Sequence, residues 1–212
     1  MLAMLLAALA QAAAFAAAPA PAPVTTPAPA PPAPAPQPAL VKVALTTAQG
    51  RIVLALEKER APVTTANFLR YVDAKRYDGI SFYRAVKVQP GYGLVQGGVW
   101  KDGKRLFPAI AHEPTTRTGL SHTDGAISMG RNAPGTATGD FFIVVGGFPS
   151  MDADPKAPGD NQGFAVFGRV VEGMDLVRTL LESPTSADAG DGVMKGQIIA
   201  QPVKILTARR ID

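Results

Sequence analysis

The chain has 212 residues, a net charge of +4, 47% hydrophobic residues, two histidines and no cysteine. Without thiols there is no disulfide framework, no cysteine nucleophile, no Cys-based metal site and no lipid anchor on an N-terminal cysteine. The charge is modest and no dense Lys/Arg run occurs, so nucleic acid is not expected as a partner.

Met1 to Ala18 is an apolar stretch centred on MLAMLLAALA. Together with its small residues it is expected to be a secretory signal peptide cleaved after Ala-Phe-Ala or Ala-Ala-Ala, although the basic n-region is missing. A membrane anchor is the alternative reading, at the short end of spanning length; no membrane partner is expected for the mature domain. Residues 19–39 are built mainly of Pro and Ala, and the whole of 1–39 carries no Lys, Arg, Asp or Glu. Proline lacks the helix donor and clashes with the preceding turn. This segment is therefore expected to be a semi-rigid polyproline II linker roughly 60–70 Å long. Residues 40–212 remain, enough for one domain that buries roughly 70% of its unfolded surface.

Within that domain Val41, Val43 and Leu45 alternate, Gln49-Gly50 marks a turn, and Ile52, Leu54 and Leu56 alternate again, which predicts a β-hairpin. Pro62 suits the first residue of a helix, and Thr65, Phe68, Leu69 and Val72 give it one apolar stripe. Short strands are expected around Ile80–Arg84, Val95–Gly97, Ala126–Met129, Phe141–Val145, Phe164–Val170 and Val203–Ala208. A second helix is expected from Met174 to Glu182. Many short strands with two widely separated helices predict a closed antiparallel barrel.

Three segments carry the candidate chemistry: Phe82-Tyr83-Arg84, Gln96-Gly97-Gly98 and Gly139-Asp140-Phe141-Phe142-Ile143. Alternation puts Phe141, Ile143 and Val145 on one strand face and Phe142 with Val144 on the other. If the first face fills a core, Phe142 is presented to a second surface. Beside Arg84 and Gln96 it predicts a small apolar pocket with polar groups at the rim. Other site classes fit poorly. Of the two histidines, His112 and His122, the first adjoins Glu113, but no second carboxylate has metal-ligand spacing. Asp152 and Asp154 open like a calcium loop, but Lys156 stands at the fifth place and no Glu closes it, so both read as solvated turn residues. No nucleophile elbow occurs. Neither a metal nor a cofactor is expected.

The order and spacing of the three segments resemble the cyclophilin family of peptidyl-prolyl isomerases, which carries Phe-His-Arg, Gln-Gly-Gly and a Phe-Phe-Ile strand. The resemblance spans residues 41–211 and includes Pro62–Phe68, Ile127-Ser128-Met129 and Val166–Met174. It implies a mostly β fold, a closed eight-stranded antiparallel barrel capped by two α-helices. It implies a peptidyl-prolyl cis-trans isomerase that needs no cofactor and acts as a monomer on proline-containing polypeptide clients; together with the expected signal peptide, the reading is an enzyme that assists the folding of exported proteins in the periplasm.

Carried over by position, Arg84 is the catalytic donor to the prolyl nitrogen. Gln96 orients it, Phe142 floors the proline pocket, and Leu94 and Met151 line its walls. Gly130, Arg131 and Asn132 bond substrate through their backbone. The departures are as informative. Lys87–Gly93 reads as an altered loop where the family has an aromatic wall, with Tyr92 the candidate replacement. Ser150 stands nearest the family's pocket tryptophan, while Trp100 lies elsewhere. Phe164 replaces a histidine, and Asp140 replaces a glutamine and is expected near Arg84, as its ion-pair partner, the alternative being a solvent-facing cap of the Thr138-Gly139 turn. Met151–Gly163 reads as an insertion. The alternative function is a proline-peptide-binding or chaperone module on the same scaffold; a sugar- or ligand-binding barrel would need an aromatic-lined cavity that the sequence does not announce.

Overall fold

The computed structural model describes residues 39–100 and 102–212. The expected signal segment, 1–18, and all but the last residue of the linker, 19–39, lie outside the described residues.

The strands are β1 (Leu40–Thr47), β2 (Gly50–Glu57), β3 (Ser81–Gln89), β4 (Tyr92–Gly98), β5 (Ala126–Met129), β6 (Phe141–Val145), β7 (Ala165–Glu172), β8 (Thr185–Ser186) and β9 (Ile198–Ile211). They run β1-β2-β7-β5-β6-β4-β3-β9, and β9 pairs back onto β1. The result is a closed, wholly antiparallel barrel of eight strands, with the two-residue β8 added along β9. Closure leaves no exposed sheet edge in the ring. β9 is long and bent: Val203 and Lys204 pair with β3, Ile198 pairs further along β3, and Pro202, which has no N–H to give, falls between.

Inward-facing residues of all eight strands fill the barrel, among them Val43, Leu54, Phe82, Val95, Ile127, Phe141, Phe167 and Ile205. Helix α1 (Pro62–Asp73) closes one end by driving Phe68 against Phe141 and Phe167, at centroid distances of 5.4 and 5.2 Å. Helix α3 (Met174–Leu181) closes the other, where Val177, Leu180 and Leu181 are buried. A single turn, α2 (Thr115–Thr118), lies beside β7. Along β6 the alternation holds: Phe141, Ile143 and Val145 belong to the barrel core. Phe142 and Val144 belong to a second, smaller cluster with Leu94, Ala126 and Val166.

Lys87–Gly93 is not a loop. The β3–β4 ladder runs on to Gln89 and Tyr92 and turns at Pro90-Gly91, with Gly91 at φ 69°. Proline followed by a positive-φ glycine is a strong turn signal between strands. Gly93 lies inside this hairpin, and a Cβ there would sit 2.1 Å from the Val86 carbonyl oxygen and 2.8 Å from Leu181 Cδ1. No side chain fits at that position, aromatic or otherwise.

Helix α1 has no side-chain cap from its own N-terminal residues. Its orphan N–H groups are met from a distance by Glu113, which is fully buried. The Glu113 carboxylate accepts from Val63 N–H at 3.2 Å, Thr64 N–H at 2.7 Å, the Thr64 hydroxyl at 2.6 Å and Arg117 at 2.9 Å. A carboxylate at a helix N-terminus also suits the macrodipole. Replacing Glu113 by Ala strands two buried donors of Thr64 and is expected to cost about 3 kcal/mol in urea unfolding. Arg117→Ala, whose side chain is 59% exposed, should cost less than about 1 kcal/mol.

Candidate active site

Strand register builds the site. Arg84 on β3 is the direct partner of Gln96 on β4, Gln96 of Phe142 on β6, and Phe142 of Ser128 on β5. Direct partners on adjacent strands face the same way, about 4.8 Å apart per strand. The four side chains therefore form one row on the outside of the barrel, opposite in sense to Phe82 and Phe141.

Above this row lies a cavity of about 500 Å³. Of the residues the sequence nominated, Arg84, Leu94, Gln96, Gly130, Arg131, Asn132, Asp140, Phe142, Met151 and Phe164 line it. Phe142 meets Phe164 edge-on, with centroids 5.4 Å apart and rings at 86°. Tyr92 is not brought to the cavity. The regular hairpin carries it past the end of β6, where it packs on Phe148 at 4.4 Å and over Gly146. Trp100 does line the cavity, contrary to its expected placement, stacked on Tyr83 at 4.6 Å and 11°.

Arg84 is held by two amides. Its Nη1–H donates to Gln96 Oε1 at 2.9 Å; Nε–H and Nη2–H donate to Gln197 Oε1 at 2.9 and 2.6 Å. Three of its five N–H groups are so engaged, which leaves two for a ligand. Burial draws the Arg84 pKa down, but a guanidinium keeps its proton throughout the physiological range. Gln197 was invisible to the sequence reading. It lies 113 residues from Arg84, outside any motif, and its backbone carbonyl also accepts from Ala85 N–H at 3.0 Å. Val193 and Met194 at the cavity rim were missed as well; Val193 is 83% exposed.

Asp140 does not pair with Arg84. Its carboxylate instead takes the Tyr83 hydroxyl and the Trp100 backbone N–H, while burial, the stronger influence, lifts its pKa to about 6. Its Oδ1 is buried without a hydrogen-bond partner among the described residues. The Arg131 guanidinium sits over the ring of Phe164, 5.1 Å from its centroid. It binds Asp160 through Nη1 at 2.8 Å and Nη2 at 3.0 Å and bonds the Gly163 carbonyl through Nε at 2.9 Å, tying down the 151–163 segment. The N–H groups of Gly130 and Asn132 are already bonded, to Asp140 O at 2.8 Å and Thr136 Oγ1 at 3.1 Å.

Asp152 is not a solvated turn residue either. Its carboxylate takes the ring of the buried His122. Among the described residues no group of three or more His, Asp or Glu side chains converges as metal ligands would, and no helix is long and apolar enough to cross a membrane.

The raised Asp140 pKa has a defined consequence. The native state binds this proton more tightly than the unfolded chain, whose carboxyl titrates near 3.8. Asp140 therefore lowers native stability as pH rises from about 4 to about 6, and its cost is complete above that window. The stability of the wild type minus that of Asp140→Asn should fall across this interval and then level off. Urea unfolding of both proteins at a series of pH values checks it, and a difference independent of pH contradicts it.

The cyclophilin-type peptidyl-prolyl cis-trans isomerase family matches residues 42–210 of the chain. Over 168 residues the chain is 34% identical to a peptidyl-prolyl cis-trans isomerase of Streptomyces antibioticus, covering 79% of this chain and 96% of that protein. It is also 34% identical to peptidyl-prolyl cis-trans isomerase A of Dickeya dadantii, covering 77% and 84%. A solved cyclophilin-type isomerase from Cryptosporidium parvum, crystallised in the presence of the dipeptide Ala-Pro, shares the fold. Its TM-score is 0.64 at 20% identity, over 81% of this chain and 99% of that one. The chain belongs to the cyclophilin-type peptidyl-prolyl cis-trans isomerase family.

Proposed function

We infer that the chain is a peptidyl-prolyl cis-trans isomerase and that the cavity at Arg84 is where the Xaa-Pro bond turns. Rotation about this bond must break amide resonance, against a barrier of roughly 18–20 kcal/mol. No bond is cleaved, so no nucleophile is called for. At the twisted geometry the prolyl nitrogen regains a lone pair and becomes an acceptor. A fixed donor aimed at it stabilises that geometry over both planar ground states.

The observation that carries this reading is the row from Arg84 through Gln96 to Phe142. It sets a guanidinium with two N–H groups to spare beside an apolar floor, Phe142, with Leu94, Met151 and Phe164 as walls. A prolyl ring on that floor places its nitrogen toward the arginine. The partners that hold Arg84 are neutral amides, so its charge reaches the substrate undiminished. Replacing Arg84 by Ala is expected to lower kcat/KM on a Xaa-Pro tetrapeptide at least about tenfold, which corresponds to about 1.4 kcal/mol of transition-state stabilisation. Circular dichroism should stay unchanged. A folded variant with full activity refutes the role of Arg84, and an inactive wild type that still binds the peptide would favour the binding-module reading.

The proposal extends to place and clients: an exported enzyme, working as a monomer in the periplasm on proline-containing polypeptides. It is supported by the apolar, small-residue character of 1–18 and the Pro/Ala composition of 19–39. N-terminal sequencing of protein from the native cell should find a start within or just after Gln11–Ala18. Intact Met1 in a membrane fraction would make the segment an anchor.

A further inference from the structure

His122 is fully buried and takes no part in the chemistry just described. Its ring lies parallel to that of Phe142, at 5.9 Å and 10°. Its Nδ1 is 2.5 Å from Asp152 Oδ1, and its Nε2 is 3.1 Å from Ser128 Oγ. Asp152 also accepts the backbone N–H of His122 at 3.0 Å and the hydroxyl of Ser121. It directly follows Met151, whose carbonyl accepts Phe164 N–H at 3.0 Å. One imidazole thus connects the floor of the cavity to two of its walls.

Serine, histidine and aspartate in this order resemble a hydrolytic relay, but Ser128 and His122 are both fully buried. No substrate reaches the serine, and the array serves to hold rather than to attack. A carboxylate accepts only, so Nδ1 carries the proton and Nε2 accepts from the Ser128 hydroxyl. That arrangement uses every polar group of the ring in its neutral form.

We propose that His122 and Asp152 are positioning residues of the isomerase site, fixing the Phe142 ring and the Met151–Phe164 wall in the geometry that receives the prolyl ring. The inference rests on the isomerase reading. Protonating His122 would turn Nε2 into a donor, and the Ser128 hydroxyl, then its acceptor, would have to swing its own hydrogen toward a new partner beside Phe142. Burial holds the His122 pKa below its ordinary value, against the pull of Asp152. β5 presents Ser128 to the ring, β6 presents Phe142, and the segment after Met151 presents Asp152. Asp124, nearby in sequence, is engaged by Arg178 at 2.9 Å and Gly146 N–H at 2.9 Å.

The test uses the full chain and one Xaa-Pro tetrapeptide, with KM and kcat measured separately. Asp152→Asn offers the ring an ambiguous partner, and KM should rise about fivefold or more while kcat stays within about twofold, because Arg84, Gln96 and Gln197 are untouched. With two histidines in the chain, nitrogen NMR of the wild type resolves the tautomer, and a proton on Nδ1 is expected at neutral pH. An unchanged KM in a folded Asp152→Asn, a loss confined to kcat, or a proton on Nε2 in the wild type overturns the proposal. If Asp152→Asn does not fold, acidification replaces it. In an Asp140→Asn background KM should rise with the same midpoint as the His122 ring titration, and a flat KM across that titration overturns the proposal. A wild type without turnover would instead refute the isomerase reading on which it stands.

Discussion

Everything at this site depends on the register of four neighbouring strands. Arg84, Gln96, Phe142 and Ser128 are successive cross-strand partners, so they face outward together while Phe82, Phe141 and Ile143 face in. A slip of one residue in β3 or β4 would bury a guanidinium or an amide in the barrel, and one in β6 would expose Phe141. The buried face fixes the register, and the register fixes the site. The aromatic contacts of Phe68 with Phe141 and Phe167 thus support catalytic geometry without touching the cavity.

Much of this was legible because it is local. Alternation along Phe141–Val145 separates the two clusters to which its residues belong. Pro62 and the stripe Thr65, Phe68, Leu69 and Val72 give α1 its first residue and its buried face. What escaped the sequence is long-range or depends on a turn. Pro90-Gly91 is a turn signal inside the presumed loop, and reading it would have continued the β3–β4 ladder and placed Tyr92 away from the cavity. Gln197 meets Arg84 only because β9 bends back along β3. Asp152 looks like a loop aspartate until His122, from a segment 30 residues earlier, turns its ring into the same space. Asp140 was placed beside Arg84 by strand logic alone, which could not show that Tyr83 and Trp100 stack where they take up its carboxylate.

The charges near the cavity are arranged so that one of them acts. A carboxylate about 4 Å from Arg84 would interact with it by about 4 kcal/mol at an effective dielectric constant of 20, enough to offset several powers of ten in rate. Asp140 is the residue able to do this, and it is held by Tyr83 and Trp100 instead. Arg131 carries a second cation, and Asp160 neutralises it. Gln96 and Gln197 hold Arg84 through neutral oxygens, which aim it without cancelling its charge.

Donor and walls are anchored in different ways, and this divides their roles. Arg84, Gln96 and Phe142 stand on barrel strands whose hydrogen bonds close into a ring. Met151 and Phe164 flank the inserted segment, Trp100 follows β4, and Val193 lies on a short turn before β9. Strand residues move only if the barrel opens, whereas loop residues move at lower cost. The donor and the floor are therefore held by the barrel, and the outer walls of the cavity by loops. Arg131 and Asp152 join the two, because each binds the inserted loop back to the strand side of the cavity, Arg131 through Asp160 and Gly163, Asp152 through His122. Changes at these two residues should alter which peptides are accepted before they alter how fast an accepted peptide turns.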